Sequence, residues 1–427
     1  MRLALAIVLL LALPATASAS TVSVALADVC QGDTACSKYG GLPPVPITTF
    51  AAAPGEVNRV TVRRQGGDFV VRDDGAALTA ESPCTRVDEH TARCPVTEGA
   101  YGLHGLAAGL SDGDDLLSVS GDLRVETSIA GEEGKDVVEA GPEPDAIDGG
   151  PGGDRLLGGG GIDELSYATR TAPVTVDLGR ETGGEAGEED GVGGFEVLVG
   201  GSGNDVLRGA GVDETLDGGA GNDVLRGRGG ADALFGGVGA DRLAGDAGDD
   251  RLYGDPAQGD DYYTPIIRLL PDRLDGGRGD DMLSDTGGRN TYLGGPGADQ
   301  LEGGANPDLM DAGPGPDLVF ARGGGRDRVR CGAGRDRART DRRDVRVGCE
   351  RLSQRRRMST APGTASAQQG AGLRPAPRTA QAYGLFVAVS RVGDRTPIPS
   401  MKPSSSLTAG RASATTPPSR AVWVRPR

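Results

Sequence analysis

The chain has 427 residues, of which 73 are Gly and 27 are Pro, about twice ordinary usage, against one Trp, six Phe and eight Tyr. This composition excludes a helical bundle, where each interior Gly costs ~1 kcal/mol relative to Ala, and the lack of a strict third-residue Gly period excludes collagen. The formal charge of −16 is uneven: residues 353–427 hold twelve Lys or Arg and one acid, so the body is strongly acidic, repels nucleic acid and attracts cations.

In chain order, Met1-Arg2, an apolar run from Leu3 to Leu13, then Pro14 and Ala17-Ser18-Ala19 predict a Sec-type signal peptide over 1–19 and a secreted, extracellular protein. No other stretch approaches the ~20 apolar residues of a spanning helix, so membrane insertion is not expected. Export makes the six cysteines disulfide candidates. They fall as local couples, Cys30 with Cys36, Cys84 with Cys94 and Cys331 with Cys349, although six cysteines allow fifteen pairings. A zinc site is disfavoured, because no C-x-x-C occurs and His90 and His104 are not at ligand spacing from any cysteine couple.

Residues 20–110 read as a small β-rich region. The β-branched runs at Arg59-Val60-Thr61-Val62-Arg63 and Asp68-Phe69-Val70-Val71-Arg72, separated by Gly66-Gly67, predict strand, turn, strand.

From residue 111 to 350 a nine-residue period takes over. It shows first as GGPGGDRLL from Gly149 and GGGGIDELS from Gly158, then as six unbroken units from Gly200 to Tyr253. A third block runs from GGRGDDMLS at Gly276 to AGPGPDLVF at Ala312. Each unit divides into a Gly-rich turn of six residues ending in Asp and a three-residue strand with an apolar middle member. Period two within the strand puts only that member inward, for example Leu207, Leu216, Leu225 and Leu234. Two units make one coil of a flattened solenoid, so same-side residues recur every eighteen positions. Asp205, Asp223 and Asp241 then line one side and Glu214, Asp232 and Asp250 the other. Coils stack at the ~4.8 Å strand spacing. Carboxylates so close, with no basic partner at the same repeat position, resist joint ionisation unless a cation lies between them. Ca²⁺ suits such a place, because it takes 6–8 oxygens in flexible geometry, whereas Mg²⁺ demands a near-ideal octahedron and Zn²⁺ prefers His or Cys.

The unit matches the nonapeptide G-G-x-G-x-D-x-(apolar)-x, and over residues 111–350 the chain resembles the RTX, or hemolysin-type calcium-binding, repeat family. The resemblance implies an all-β fold, a parallel β-roll (a right-handed β-solenoid) of Gly/Asp repeats with several Ca²⁺ ions held by Asp carboxylates and turn carbonyls of adjacent coils. It transfers the ligand role to Asp154, Asp163, Asp205, Asp223, Asp232, Asp241, Asp250, Asp281, Asp299, Asp308 and Asp317. Glu214 and Asn290 stand where Asp is expected, and Pro307 and Pro316 directly precede ligand positions.

The array is interrupted at 167–199, with strand-like Val174 to Leu178 and an acidic stretch from Glu185 to Asp190, and again at 256–271, with Tyr262, Tyr263, Ile266 and Ile267. Loops on the solenoid are the favoured reading of both, and a contact surface is a second reading of the latter. At the C-terminal end a Cys331–Cys349 bond would protect the open β-edge, and Asp327 and Asp336 are divided evenly between metal binding and pairing with Arg. Residues 353–427, rich in Pro, Ser, Ala and Arg, are expected to be disordered. They read as a linker, as a basic tail for anionic polymers, or as the product of a frameshift.

Three functions are weighed. A secreted calcium-binding structural or adhesive protein, whose partners are calcium ions and cell-surface or matrix polymers, is preferred. A secreted carbohydrate-acting enzyme or hydrolase using the repeats as a secretion or stability module is the alternative. It is disfavoured because no H-E-x-x-H or G-x-S-x-G occurs and fewer than 100 residues remain for a catalytic domain. A pore-forming toxin lacks an amphipathic or apolar helical segment here.

Overall fold

A three-residue strand has room for one inward side chain, and the fold follows from stacking that single side chain coil upon coil. The computed structural model describes residues 19–27, 45–96, 104–255, 270–321 and 325–351. Residues 1–18 of the expected signal peptide, Cys30 and Cys36, the Tyr and Ile residues of the second interruption and the basic tail lie outside the described residues. The architecture is an all-β parallel β-roll with two sheets as opposite walls, and among the described residues the one helical element is the short 3-10 turn Leu178–Arg180.

Successive nine-residue units alternate between the walls. In one wall Leu198, Leu216, Leu234, Leu252, Leu283, Leu301 and Val319 pair in register, and in the other Leu207, Leu225, Leu243, Leu274, Tyr292, Met310 and Val329 do. All are buried. Each contributes roughly 1.5–3 kcal/mol by leaving water, so two files of Leu-sized side chains replace the thick aromatic core that the composition lacks.

The turns need glycine at defined places. Gly221 sits at φ 140°, and a β-carbon there would collide with the carbonyl oxygen of Gly203 in the preceding coil. Only a residue without a side chain lets the coils approach so closely.

The N-terminal region shares both walls with the roll. The antiparallel hairpin Arg59–Gln65 and Asp68–Asp73 turns at Gly66-Gly67, as expected, and Arg59–Gln65 then pairs in parallel with Leu116–Val119. On the other wall Val45–Ala51 stacks on Gly105–Gly109, which stacks on Glu126–Ala130. Parallel stacking therefore begins before residue 111. Phe50, Phe69, Leu78 and Leu106 make this end bulkier than the repeats that follow. Cys84 and Cys94 are bonded, as are Cys331 and Cys349, which stand eighteen residues apart and so tie one coil to the next.

The first interruption is a piece of the sheet rather than a loop on it. Thr175–Asp177 pairs in parallel with Val206–Arg208, Thr182–Gly183 runs antiparallel to both Thr175–Asp177 and Asp190–Gly193, and the latter pairs with Arg155–Leu157. The chain thus runs ahead and returns, giving this wall two strands that the opposite wall lacks. Buried Tyr167, Phe195 and Leu178 fill the wider core there, which is why bulky residues cluster at this point of the sequence. Arg170, buried among them, pairs with Glu185 and Glu188. The second interruption leaves the register untouched: Leu243 faces Leu274 and Leu252 faces Leu283 across it.

Candidate metal centre

Each unit delivers its acid at the last position of the turn, where the strand begins and the side chain must point inward. Two continuous columns result. In the first, the backbone N–H of Asp205 donates to Asp223 Oδ1 at 2.8 Å, Asp223 to Asp241 at 2.8 Å, Asp241 to Asp272 at 2.7 Å, Asp272 to Asn290 at 2.9 Å and Asn290 to Asp308 at 2.9 Å. In the second, Glu214 donates to Asp232, Asp232 to Asp250, Asp250 to Asp281, Asp281 to Asp299 and Asp299 to Asp317, all at 2.8–3.0 Å. One oxygen of each carboxylate is thereby committed to holding the previous coil.

The other oxygen has no partner. The Oδ2 atoms of Asp154, Asp223, Asp232, Asp241, Asp250, Asp281, Asp299, Asp308 and Asp317 are buried without a hydrogen bond. Asp205 differs, since its Oδ2 accepts the Gly201 N–H at 2.8 Å. Asp163 is buried in a ladder of the same kind, accepting from Asp145 at 2.9 Å. The free oxygen points at the first glycine of its own turn, except for Asp317, whose turn begins with Ala312. A β-carbon on Gly218 would sit 2.6 Å from Asp223 Oδ2 and 2.6 Å from the Gly236 carbonyl oxygen, so carboxylate and carbonyl oxygens of adjacent coils converge on a cradle that only glycine leaves open. Buried polar atoms are normally satisfied, and an unpaired buried carboxylate is costly. Burial, with the neighbouring column acids adding to it, pushes the Asp223, Asp232, Asp281, Asp299 and Asp308 carboxyls up to about 7.

Nine of the eleven acids read from the sequence lie in these two columns, and Asp154 and Asp163 lie in shorter runs on the same walls that pair in the same way. The turn prolines do not displace Asp308 or Asp317. Glu214 reaches the same cradle with its longer chain, its unpartnered Oε2 lying 2.5 Å from where a β-carbon on Gly209 would be. Asn290 spends its amide differently, donating Nδ2 to the Gly287 carbonyl.

Further members escaped the sequence reading. Asp115 and Asp136 form a run with Asp154 on the wall of the first column, Asp115 N–H donating to Asp136 Oδ1 and Asp136 N–H to Asp154 Oδ1. Asp190, expected in an acidic loop, accepts from Asp154 at 2.9 Å, and Glu196 from Asp163 at 3.0 Å. Asp272 is hidden by the insertion before it, being 31 rather than eighteen residues from Asp241. Asp327 and Asp336 accept the N–H groups of Asp308 and Asp317 like any other column acid, and no ion pair to Arg joins them among the described residues. The surviving signal in all of these is an acid two residues before an inward apolar residue, as in Gly134-Lys135-Asp136-Val137-Val138.

Oxygen-only cradles between glycine turns, repeated at coil spacing, are a donor set suited to hard cations. The comparison with known families agrees: residues 130–165, 190–225, 209–243, 235–262, 271–301 and 284–319 match the RTX calcium-binding nonapeptide repeat (4 copies), so this part of the chain carries repeats of that family. Its repeats are of a calcium-binding type. No curated protein matches the chain.

Proposed function

We propose that this is a secreted structural protein, with an adhesive role outside the cell, whose roll folds around calcium bound along the two acid columns. The observation that carries the reading is the row of buried, unpartnered Oδ2 atoms facing glycine cradles. Asp154, Asp163, Asp205, Asp223, Asp232, Asp241, Asp250, Asp281, Asp299, Asp308 and Asp317 are the proposed ligands, joined by Asp272 and Glu214. Bound Ca²⁺ supplies positive charge that lets neighbouring carboxylates ionise together, and oxygen ligation replaces the missing hydrogen bonds. Because such sites do not exist in the unfolded chain, binding free energy becomes folding free energy. Calcium is scarce in the cytosol and abundant outside, so a chain built this way folds after export. The signal sequence and the disulfides support the same compartment. The N-terminal strands and the Cys331–Cys349 bond act as caps on the two open ends, and the role is proposed to be non-catalytic.

Equilibrium dialysis of ⁴⁵Ca²⁺ against the purified full chain tests this. The proposal expects several ions per chain, with Mg²⁺ competing poorly. Fewer than two ions, or equal displacement by Mg²⁺, contradicts it. N-terminal sequencing of the exported protein should begin at about Ser20, and retention of Met1 in the mature protein would contradict secretion by this signal.

A further inference from the structure

Three acids that break the repeat pattern meet at one point of the first column. Asp285 stands at the first position of its unit, where the neighbouring units carry Gly276 and Gly294; Asp255 stands at the second position of the turn that begins with Gly254; Asp272 ends that turn. Their carboxylate oxygens lie within 4.8 Å of one another and all three residues are buried. Asp272 Oδ1 is engaged by the Asp241 N–H and Asp285 Oδ1 by the Gly287 N–H. Asp255 Oδ1 and Oδ2 have no partner, and Asp272 and Asp285 face each other closely enough to share a proton, the one hydrogen bond left to their Oδ2 atoms.

Asp255 gives the decisive independent observation. It is 3% exposed, neither oxygen makes a hydrogen bond, and its carboxylate faces the other two. No described Lys or Arg is ion-paired with any of the three. Gly254 supplies the cradle, a β-carbon there falling 2.5 Å from Asp272 Oδ2 and close against Asp285 Oδ2. The adjoining coil explains why acids collect here. Asn290 occupies the next column position and brings no charge, its Oδ1 taken by the Asp272 N–H and its Nδ2 by the Gly287 carbonyl.

We propose that Asp255, Asp272 and Asp285 form a distinct, all-carboxylate calcium site that staples the roll across its second interruption. In most other turns a cradle joins one column carboxylate to a backbone carbonyl of the next coil. At this point side chains replace the carbonyl and concentrate three negative charges. Asp255 precedes the inserted segment and Asp272 follows it, so one ion between them closes the turn that the insertion opened, and Asp285 ties that turn to the next coil. A hard cation that accepts irregular oxygen geometry fits, and Ca²⁺ does so more readily than Mg²⁺, which gives up its water reluctantly.

The site is separable from the regular columns by mutation. Asp285→Gly restores the residue that neighbouring units carry, and Asp255→Asn exchanges one oxygen for nitrogen at constant size. The number of calcium ions bound by the full-length chain, titrated with CaCl₂ alone in an isothermal calorimeter, is expected to fall by one in either variant. Asp223→Ala is expected to remove an ion from the regular column and leave the one at Asp285 in place. An unchanged ion count in Asp255→Asn overturns the proposal, and this variant decides should Asp285→Gly fail to fold. A wild-type chain that binds calcium while both variants match it fails this site alone, whereas a wild-type chain that binds none fails the column reading too.

Discussion

A carboxylate with one oxygen bonded to the previous coil and the other left bare is a contradiction that only protonation or a cation resolves, and the two resolutions predict different behaviour. Burial holds Asp136, Asp154, Asp223, Asp232 and Asp241 up to about 7 in the metal-free chain, against about 4 when unfolded. Between those values the folded chain binds more protons than the unfolded one. The stability these acids contribute is therefore full below about pH 4 and lost as the pH rises through about 7. In EDTA, lowering the pH from about 7.5 to about 5 should increase the ordered β-structure, read by circular dichroism. A fall on acidification would contradict the assignment of these acids as buried and unpaired. With calcium present the order reverses, since protons then compete with the metal. Site by site, Asp223→Ala should weaken calcium binding at least tenfold, whereas Asp122→Ala, an exposed acid outside the columns, should leave the titration unchanged. Equal losses would mean that generic negative charge, and not the cradle, attracts the ion. The acids in regular units were legible in the sequence because the nine-residue count is unbroken from 200 to 253. Asp272 and Asp190 were not, since insertions shift the count, and only their backbone pairing with Asp241 and Asp154 restores them to their runs.

At the scale of the strand and turn, glycine and leucine divide the work. Gly221 has φ 140° and lies against the Gly203 carbonyl, while Gly211 has open space around its Cα. Gly221→Ala should therefore cost roughly 1–3 kcal/mol or more, and Gly211→Ala close to nothing, measured as the shift in calcium-loaded thermal unfolding. Similar values for both would show that coil spacing is looser than the structure has it. The alternation that made single Leu residues the core was readable from the unit itself, and Leu216 over Leu234 over Leu252 bears it out. The first interruption resisted that reading for a topological reason. Its strands pair out of chain order, with Thr182–Gly183 reversing between two parallel neighbours, and no local pattern announces a chain that runs ahead and returns.

For the whole molecule the acidic body and the thin core are one design under the proposed function, in which oxygen ligation does what aromatic bulk does in other folds. The ends are closed by other means. Cys331 and Cys349 join successive coils, and the loop they close is worth about 3 kcal/mol in the chain-entropy account. Reduction, or Cys349→Ser, should loosen the final coils first, seen as earlier amide exchange over residues 325–351 than over 200–253. Uniform exchange along the roll would deny the bond a capping role. The central claim, that calcium and the fold are inseparable, is tested most directly by far-UV circular dichroism of the full chain at neutral pH, first in EDTA and then through a CaCl₂ titration to millimolar concentration. The account predicts little ordered β-structure in EDTA and a cooperative gain on adding calcium, with Mg²⁺ a poor substitute. Identical spectra with and without calcium would contradict it.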